Sequence, residues 1–423
     1  MPEDAFEVLK PSVQSLLGGR RVDLVPADND FFSQDYVSKP IDVGSEKKRI
    51  LVTQKGIRLT PFEAELLNQT AKAFAVLFNR FESTTGYKAH LRTAISSSVM
   101  DITLARFLRG KRSGGFASVQ RLIQVLKRLS YERYEGSPAT TGFLVFRTKQ
   151  ETVCDNVRDR GCYWIDLTPV KIDNDFFGSP LTYRYVDGNH NFFATGIQMK
   201  AVATIHSRHS IDDAVDGLSH ANLYRLLEIA GKNAFAALLN NSSEVEIILQ
   251  KGKIIVWRKG VWNIFDPDVF HFFFQAELEE KVINELLWTV YSLSKTRHGT
   301  LILITSAPQK ELEDFRKGSV AGNHLLSEEL IKKARDTSIS SLKSKGDLIR
   351  MLSADGLTIV NYKGQLVDTG VITDTSRITK GKAVGGGRTT AAIAASSLGK
   401  VIKVSEDGPI ELYENQSLKY RFG

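Results

Sequence analysis

The chain has 423 residues, of which 42% are hydrophobic and 25% charged, a composition that excludes wholesale disorder and predicts two or three domains. The net charge of +8 is spread along the sequence, so the charge gives little reason to expect a nucleic-acid partner. The densest basic run is Arg109–Arg112, which we interpret either as a solvated loop or as an anion-binding patch.

The two cysteines, Cys154 and Cys162, are too few to cross-link a chain of this length, and a zinc site would need four ligands at closer spacing. Residues 1–6 are acidic and lack the basic and apolar segments of a secretory signal. Apolar runs stay well short of the roughly 18 residues that a membrane helix needs. These features predict a soluble cytoplasmic protein without a membrane partner.

Residues 1–275 are predicted to form an α+β region, possibly divided into two subdomains near residues 135–140. Apolar residues at helical spacing predict helices over the stretches 61–82, 116–131 and 220–240. Short apolar runs between turn residues predict strands in the stretch 140–210 and a meander of three strands in the stretch 245–265.

Residues 276–423 alternate between helical and strand patterns, which predicts a mixed β-sheet with helices on its faces. The domain boundary is placed at the start of this part. The predicted helices are 276–294, a helix capped by Ser327 and running to Ala334, 345–352 and 389–397. The predicted strands are 301–305, 357–360 and 401–404.

Asp355 stands where a predicted helix ends and a buried strand begins, and Gly356 follows it. A carboxylate in this place can hold a divalent cation or accept a proton from a hydroxyl, and the glycine lets a ligand approach the backbone. Asp-Gly is also a common turn dipeptide, so the local pattern alone leaves both interpretations open.

A second candidate site is the glycine run that leads into a helix at residues 385–395. Free amides at a helix N-terminus bind anions, Arg388 adds a planar cation, and Thr389 and Thr390 add hydroxyl donors. The segment lacks the lysine and spacing of a P-loop. The alternative interpretation is a flexible glycine loop before an alanine-rich core helix.

Together these segments resemble the catalytic domain of the diadenylate cyclase family, over about the last third of the chain. The resemblance rests on four motifs in the order that the family has them, namely His298–Ile302, the helix and Asp-Gly turn of Leu348–Leu357, Gly386–Ala392, and Val404–Gly408. In the second motif, Leu357 stands where the family has alanine.

The phosphate motif departs further from the family pattern. Gly387 replaces a threonine, and Thr389 and Thr390 replace a histidine and an arginine, so only Arg388 remains as a cation of this motif. Those family residues grip the triphosphate. Two lysines just before the loop are candidates to compensate, Lys380 and Lys382.

The resemblance implies that each protomer binds one ATP with Mg²⁺ or Mn²⁺, and that two protomers meet face to face as a homodimer. Each 3′-hydroxyl then attacks the α-phosphate of the other ATP, which yields cyclic di-AMP and pyrophosphate. It implies catalytic roles for Asp355, Arg388 and Glu406, with Asp355 holding the metal. The implied ATP-binding residues are Gly356, Leu357, Gly386, Gly387, Arg388, Thr389, Thr390 and Ser405.

Cyclases of this family carry varied partner domains, so the resemblance implies that residues 1–275 are a sensor or regulatory region with an unknown ligand. Three hypotheses stay open for the C-terminal part. It is an active diadenylate cyclase, a related cyclase for another nucleotide, or a degenerate module that binds nucleotides without catalysis.

Overall fold

The computed structural model describes residues 2–29, 35–53, 56–82, 88–110, 115–147, 151–160, 162–207, 220–322, 324–378 and 385–423. These residues form two compact units. The first contains the described residues up to Ser207 together with His220–Asp266, and the second is Pro267–Gly423. Each unit has its own sheets and its own helices.

The first unit combines helices with two main sheets. Its described helices are α1 (Pro2–Leu16), α2 (Pro61–Glu82), α3 (Lys88–Arg109), α4 (Phe116–Leu129), α5 (Glu151–Arg160), α6 (Pro180–Tyr185) and α7 (Ala221–Ala230). Helix α2 begins at Pro61, which needs no amide hydrogen there, and it buries Leu66, Leu67 and Phe74 at helical spacing.

The strands of the first unit are short and mostly antiparallel. They are β1 (Arg21–Pro26), β2 (Tyr36–Val37), β3 (Ile41–Val43), β4 (Glu46–Thr53), β5 (Arg133–Tyr134), β6 (Ser137–Pro138), β7 (Thr141–Phe146), β8 (Cys162–Lys171), β9 (Asn191–Gly196), β10 (Lys200–Ser207), β11 (Ala234–Leu239), β12 (Val245–Ile248), β13 (Ile254–Arg258) and β14 (Val261–Phe265). Strands β1 to β4 form a small sheet, and the larger sheet has the order β14-β13-β12-β11-β7-β9-β10-β8.

The second unit is a mixed sheet with helices. Its described helices are α8 (Pro267–Phe274), α9 (Glu280–Lys295), α10 (Gln309–Phe315), α11 (Leu325–Ala334), α12 (Ile339–Ser344), α13 (Asp347–Leu352) and α14 (Gly387–Ala395). Its strands are β15 (Thr300–Thr305), β16 (Arg316–Ser319), β17 (Leu357–Asn361), β18 (Leu366–Thr373), β19 (Lys400–Val404), β20 (Ile410–Glu414) and β21 (Ser417–Phe422).

Strand β15 lies at the centre of the second sheet, whose order is β16-β18-β17-β15-β19-β20-β21. All six of its residues are buried, as its continuous apolar sequence predicts for a strand covered on both faces. It runs parallel to β17 and antiparallel to β19. This arrangement confirms the predicted fold class, a mixed sheet flanked by helices beside a separate α+β region.

Two element predictions are wrong. The pattern of residues 220–240 predicts one helix, but the chain forms α7, ends it at Gly231 with φ +64°, and continues as strand β11. Ser327 is predicted to be an N-cap, but the helix begins earlier. There the His324 side chain accepts the amide hydrogen of Ser327.

The division between the two units lies at Asp266 and Pro267, so helix α8 belongs to the second unit rather than to the N-terminal region. The first unit is not divided further by its contacts, and a subdomain break near residues 135–140 stays a prediction. Among the described residues, no helix is both long and apolar enough to span a bilayer.

Candidate functional site

The register of three strands brings the predicted site residues to one edge of the second sheet. Leu301 in β15 lies beside Leu357 in β17, and Thr300 lies beside Val404 in β19. The residue pair that precedes β17, Asp355-Gly356, is therefore level with the start of β15. Glu406 follows the end of β19, so it reaches the same edge from the other side.

Arg388 joins the two carboxylates at this edge. Its Nη1 donates to Glu406 Oε1 at 2.5 Å, and its Nη2 donates to Asp355 Oδ1 at 3.5 Å. The side chains of Asp355 and Glu406 are 73% and 69% exposed, whereas that of Arg388 is 36% exposed. The hydrogen bond to Glu406 raises the pKa of the Arg388 guanidinium, so it stays charged. The structure thus brings the three predicted catalytic residues together.

Gly299 leaves room for the Arg388 side chain. A Cβ atom at Gly299 would lie 2.3 Å from Arg388 Nη1 and 2.7 Å from its Cζ, far inside normal contact distance. Gly299 belongs to the first motif of the family resemblance, but its contact with Arg388 follows from the sheet register and has no local signal in the sequence.

We expect Gly299→Ala to displace the Arg388 guanidinium while costing less than about 1 kcal/mol of stability, because the clash is with the end of a flexible side chain. If the site acts on a phosphate substrate, the misplaced cation should lower its turnover by roughly 10- to 100-fold. Gly318→Ala is the matched control, since a Cβ there would meet Ile372 only at an ordinary 3.6 Å. Equal turnover in the two variants would exclude a role for the position of Arg388.

The N-terminus of helix α14 lies beside these charged groups. Gly386 is its N-cap residue, and Gly385 adopts φ +149°, where a Cβ would lie 2.9 Å from the Thr389 side chain. The first amides of a helix have no partner within the helix and carry partial positive charge. Gly387 and Arg388, in the first turn, therefore present amides as well as a guanidinium to an anion.

The two threonine hydroxyls of this turn already form hydrogen bonds within the protein. Thr389 Oγ1 accepts a hydrogen bond from Lys403 Nζ at 2.8 Å, and Thr390 Oγ1 donates to the Gly386 carbonyl at 3.3 Å. Lys403 also pairs with buried Glu411 at 2.7 Å. The Thr390 hydroxyl is therefore not free to donate to a ligand, because it already donates to the backbone of its own helix.

Three other predicted binding residues shape the backbone. Gly356 has φ +91°, and a Cβ there would lie 2.8 Å from the Gly370 backbone, so only glycine fits. Leu357 is fully buried in the apolar core of the unit and does not line the site with its side chain. The Ser405 backbone closes a turn, because its amide donates to Pro409 at 2.9 Å.

A pocket of about 700 Å³ opens next to Asp355, which is one of its lining residues. Its other walls come from helices α11 to α13 and from strand β18. Apolar lining residues include Leu330, Ile331 and Met351. The charged lining residues besides Asp355 are Lys333, Lys345, Asp347 and Arg350. No local sequence pattern indicates this pocket, because its walls come from separate helices.

Lys380 and Lys382, the candidates to compensate for the altered motif, lie outside the described residues. Over the ranges that the structure describes, no group of three or more His, Cys, Asp or Glu side chains is placed to hold a metal ion. Asp355 and Glu406 are a pair of exposed carboxylates rather than a full ligand cage.

No protein-family model matches this chain, and no curated protein is similar enough to count as a relative. The assignment of function therefore rests on the residues and their geometry.

Proposed function

We propose that the second unit is a diadenylate cyclase, which joins two ATP molecules into cyclic di-AMP and releases two pyrophosphates. The observation that supports this best is the meeting of Asp355, Arg388 and Glu406 at one sheet edge, beside a pocket that Asp355 also lines. This edge combines carboxylates, a cation and a helix N-terminus, the groups that nucleotidyl transfer uses.

The pocket suits a nucleotide in size and polarity. Ligand pockets of 300 to 1,000 Å³ are typical for small molecules, and this one measures about 700 Å³. Apolar walls such as Leu330 and Met351 suit a purine ring. With the base in this pocket, the phosphates would extend past Asp355 toward Arg388 and the first amides of α14.

The carboxylate pair suits Mg²⁺ or Mn²⁺. Mg²⁺ is usually held by one or two carboxylates together with substrate phosphates, rather than by a cage of protein ligands. Asp355 and Glu406 are exposed and close to the same guanidinium, so they fit this donor set. When bound, the metal would supply charge stabilisation for the α-phosphate.

The protein groups have distinct roles in the proposed reaction. Arg388 would exchange its carboxylate partners for phosphate oxygens, and the amides of Gly387 and Arg388 would bind the charge that develops on the α-phosphate. Asp355 would accept the proton of the attacking 3′-hydroxyl. A bond forms from the 3′-oxygen to the α-phosphorus, the bond from that phosphorus to the β-bridging oxygen breaks, and pyrophosphate leaves.

The product requires two nucleotides in opposite orientation, so two protomers would have to meet at their sites. The chain exposes a group of apolar side chains on and near the helix that lines the pocket, namely Val320, Leu325, Leu326 and Leu330. Exposed apolar groups of this kind are typical of interaction surfaces. These exposed side chains support a face-to-face dimer.

We expect the rate of pyrophosphate release from ATP to rise faster than linearly with protein concentration below the dimer dissociation constant, because each half-site lacks the second ATP. The rate is measured with Mg²⁺ and with Mn²⁺ over a dilution series, with GTP in parallel. Release from GTP in place of ATP would favour a related cyclase with another substrate. A strictly linear rate across the dimer-to-monomer range would contradict a shared site.

A nucleotide-binding module without catalysis is the second candidate. Two observations favour it. Thr389 and Thr390 supply no cation, and the Thr390 hydroxyl donates to its own helix. Such a module would bind ATP with a measurable affinity and release no pyrophosphate, even in dimeric protein.

A further inference from the structure

A second pocket, of about 610 Å³, lies in the first unit between helices α2, α3 and the start of α4. Lys72 lines it from α2, and Arg106 and Arg109 line it from the last turn of α3. The two arginines are three positions apart on one helix, so they share a face. Among the described residues that line it, Glu65 is the one acidic group.

Within the described residues, no carboxylate neutralises the cations of this pocket. In the part of the chain that the structure describes, neither Arg106 nor Arg109 has an ion pair or a side-chain hydrogen bond, and Arg109 Nε is buried without a partner. The Glu65 carboxylate instead accepts a hydrogen bond from Gln69 at 2.7 Å. A buried N–H donor without an acceptor is unfavourable, and a bound anion would supply the acceptor.

Electrostatic repulsion between neighbouring cations also favours an anion in this pocket. Burial lowers the pKa of the Arg106 guanidinium, and the neighbouring charges of Arg109 and Arg80 lower it further. The dipole of α3 favours cations at its C-terminus, but it supplies no acceptor for Arg109 Nε. The cluster therefore has the properties of an anion site rather than of a satisfied helix end.

The rest of the lining indicates what kind of anion fits. Phe107 and Phe116 are part of the wall, and Phe107 packs edge-on against Phe62 at 5.5 Å between ring centroids. An arginine guanidinium can donate two hydrogen bonds to phosphate oxygens, and aromatic side chains can pack against a flat organic group. The volume is larger than an inorganic anion needs and is in the range of small-molecule sites.

We propose that this pocket binds a phosphate-bearing small molecule, with Arg106, Arg109 and Lys72 holding the phosphate and Phe107 and Phe116 contacting the organic part. The proposal does not depend on the cyclase activity of the second unit.

The test is protection of the arginines from phenylglyoxal in the full chain, followed by peptide mass spectrometry. AMP and pyrophosphate are the probes, each compared with chloride at equal ionic strength. We expect labelling of Arg106 and Arg109 to slow about tenfold when a probe is at roughly ten times its Kd, because few sites are then free. Arg121 is exposed on α4 and is the internal control, with unchanged labelling.

A variant gives a second, independent readout. In Arg109→Gln the melting temperature without probe should stay close to that of the parent protein, and the rise in melting temperature with AMP should be lost. The same rise should survive in Arg121→Gln. The Arg388→Gln variant distinguishes this pocket from the site of the second unit. In that variant, the probes should still protect Arg109 from labelling.

Protection by AMP but not by pyrophosphate would assign an organic phosphate, and protection by both would assign the phosphate group as the main determinant. Equal labelling of Arg106 and Arg109 with and without either probe, up to about 10 mM, would overturn the proposal, because millimolar Kd values are the weakest that such a site needs.

Discussion

Asp355→Asn should abolish cyclic di-AMP formation, with a loss of roughly 100-fold or more in turnover, while the protein stays folded. Asparagine keeps the shape of the side chain but removes its charge, so it neither holds a divalent cation nor accepts a proton from a hydroxyl. The Asp355 side chain is 73% exposed and its carboxylate pairs with Arg388 only at 3.5 Å, so little stability depends on it. Turnover is measured as product formed from ATP at saturating metal.

Asp314→Asn is the matched control. Asp314 is also an exposed aspartate of the second unit, on helix α10 and outside the candidate site, and its variant should keep full turnover. Full activity in Asp355→Asn would refute both the metal role and the catalytic role of this carboxylate. Equal losses in the two variants would point to a general effect of charge instead.

Lys403→Met should destabilise the second unit by about 3 kcal/mol, because it leaves the Glu411 carboxylate buried without its closest cation. Lys403 Nζ lies 2.7 Å from Glu411 Oε2 and 2.8 Å from Thr389 Oγ1. The expected loss is at the lower end for a broken buried pair, since Arg421 Nε remains 3.7 Å from the carboxylate. The thermal transition of this unit should fall by roughly 6 to 12 °C in calorimetry.

Lys363→Met is the control for this prediction, since Lys363 is exposed in the turn between β17 and β18. Its transition should stay within about 1 °C of the parent protein. An unchanged transition in Lys403→Met would mean that the pair contributes no net stability. A Glu411→Gln change combined with Lys403→Met should recover part of the loss, because the uncompensated charge is then gone.

Local sequence patterns predicted the separate parts of the site but not their surroundings. Asp355 and Arg388 stand at element boundaries, and such positions are visible in the sequence as a turn dipeptide and as a glycine run. Their meeting with Glu406 depends on the pairing of β15 with β17 and β19. The pocket beside Asp355 is built from three short helices and strand β18, so no pattern within a single element predicts it.

The errors in the predicted elements have a similar cause. Residues Ala234–Leu239 are apolar and contain alanine, which favours a helix in isolation. The glycine at 231 ends the helix before them, and the strand is then stabilised by pairing with β7 and β12, where every residue is buried. Tertiary pairing overrides helix propensity here, and only the three-dimensional structure contains that information.

Identification of the reaction product decides whether the second unit is a diadenylate cyclase. Purified full-length protein is incubated with ATP and Mg²⁺ or Mn²⁺, and the mixture is separated by chromatography and analysed by mass spectrometry, with Asp355→Asn in parallel. The proposed activity predicts cyclic di-AMP from the parent protein and none from the variant. Folded, dimeric protein that binds ATP and yields no cyclic dinucleotide would contradict it and would favour the binding module.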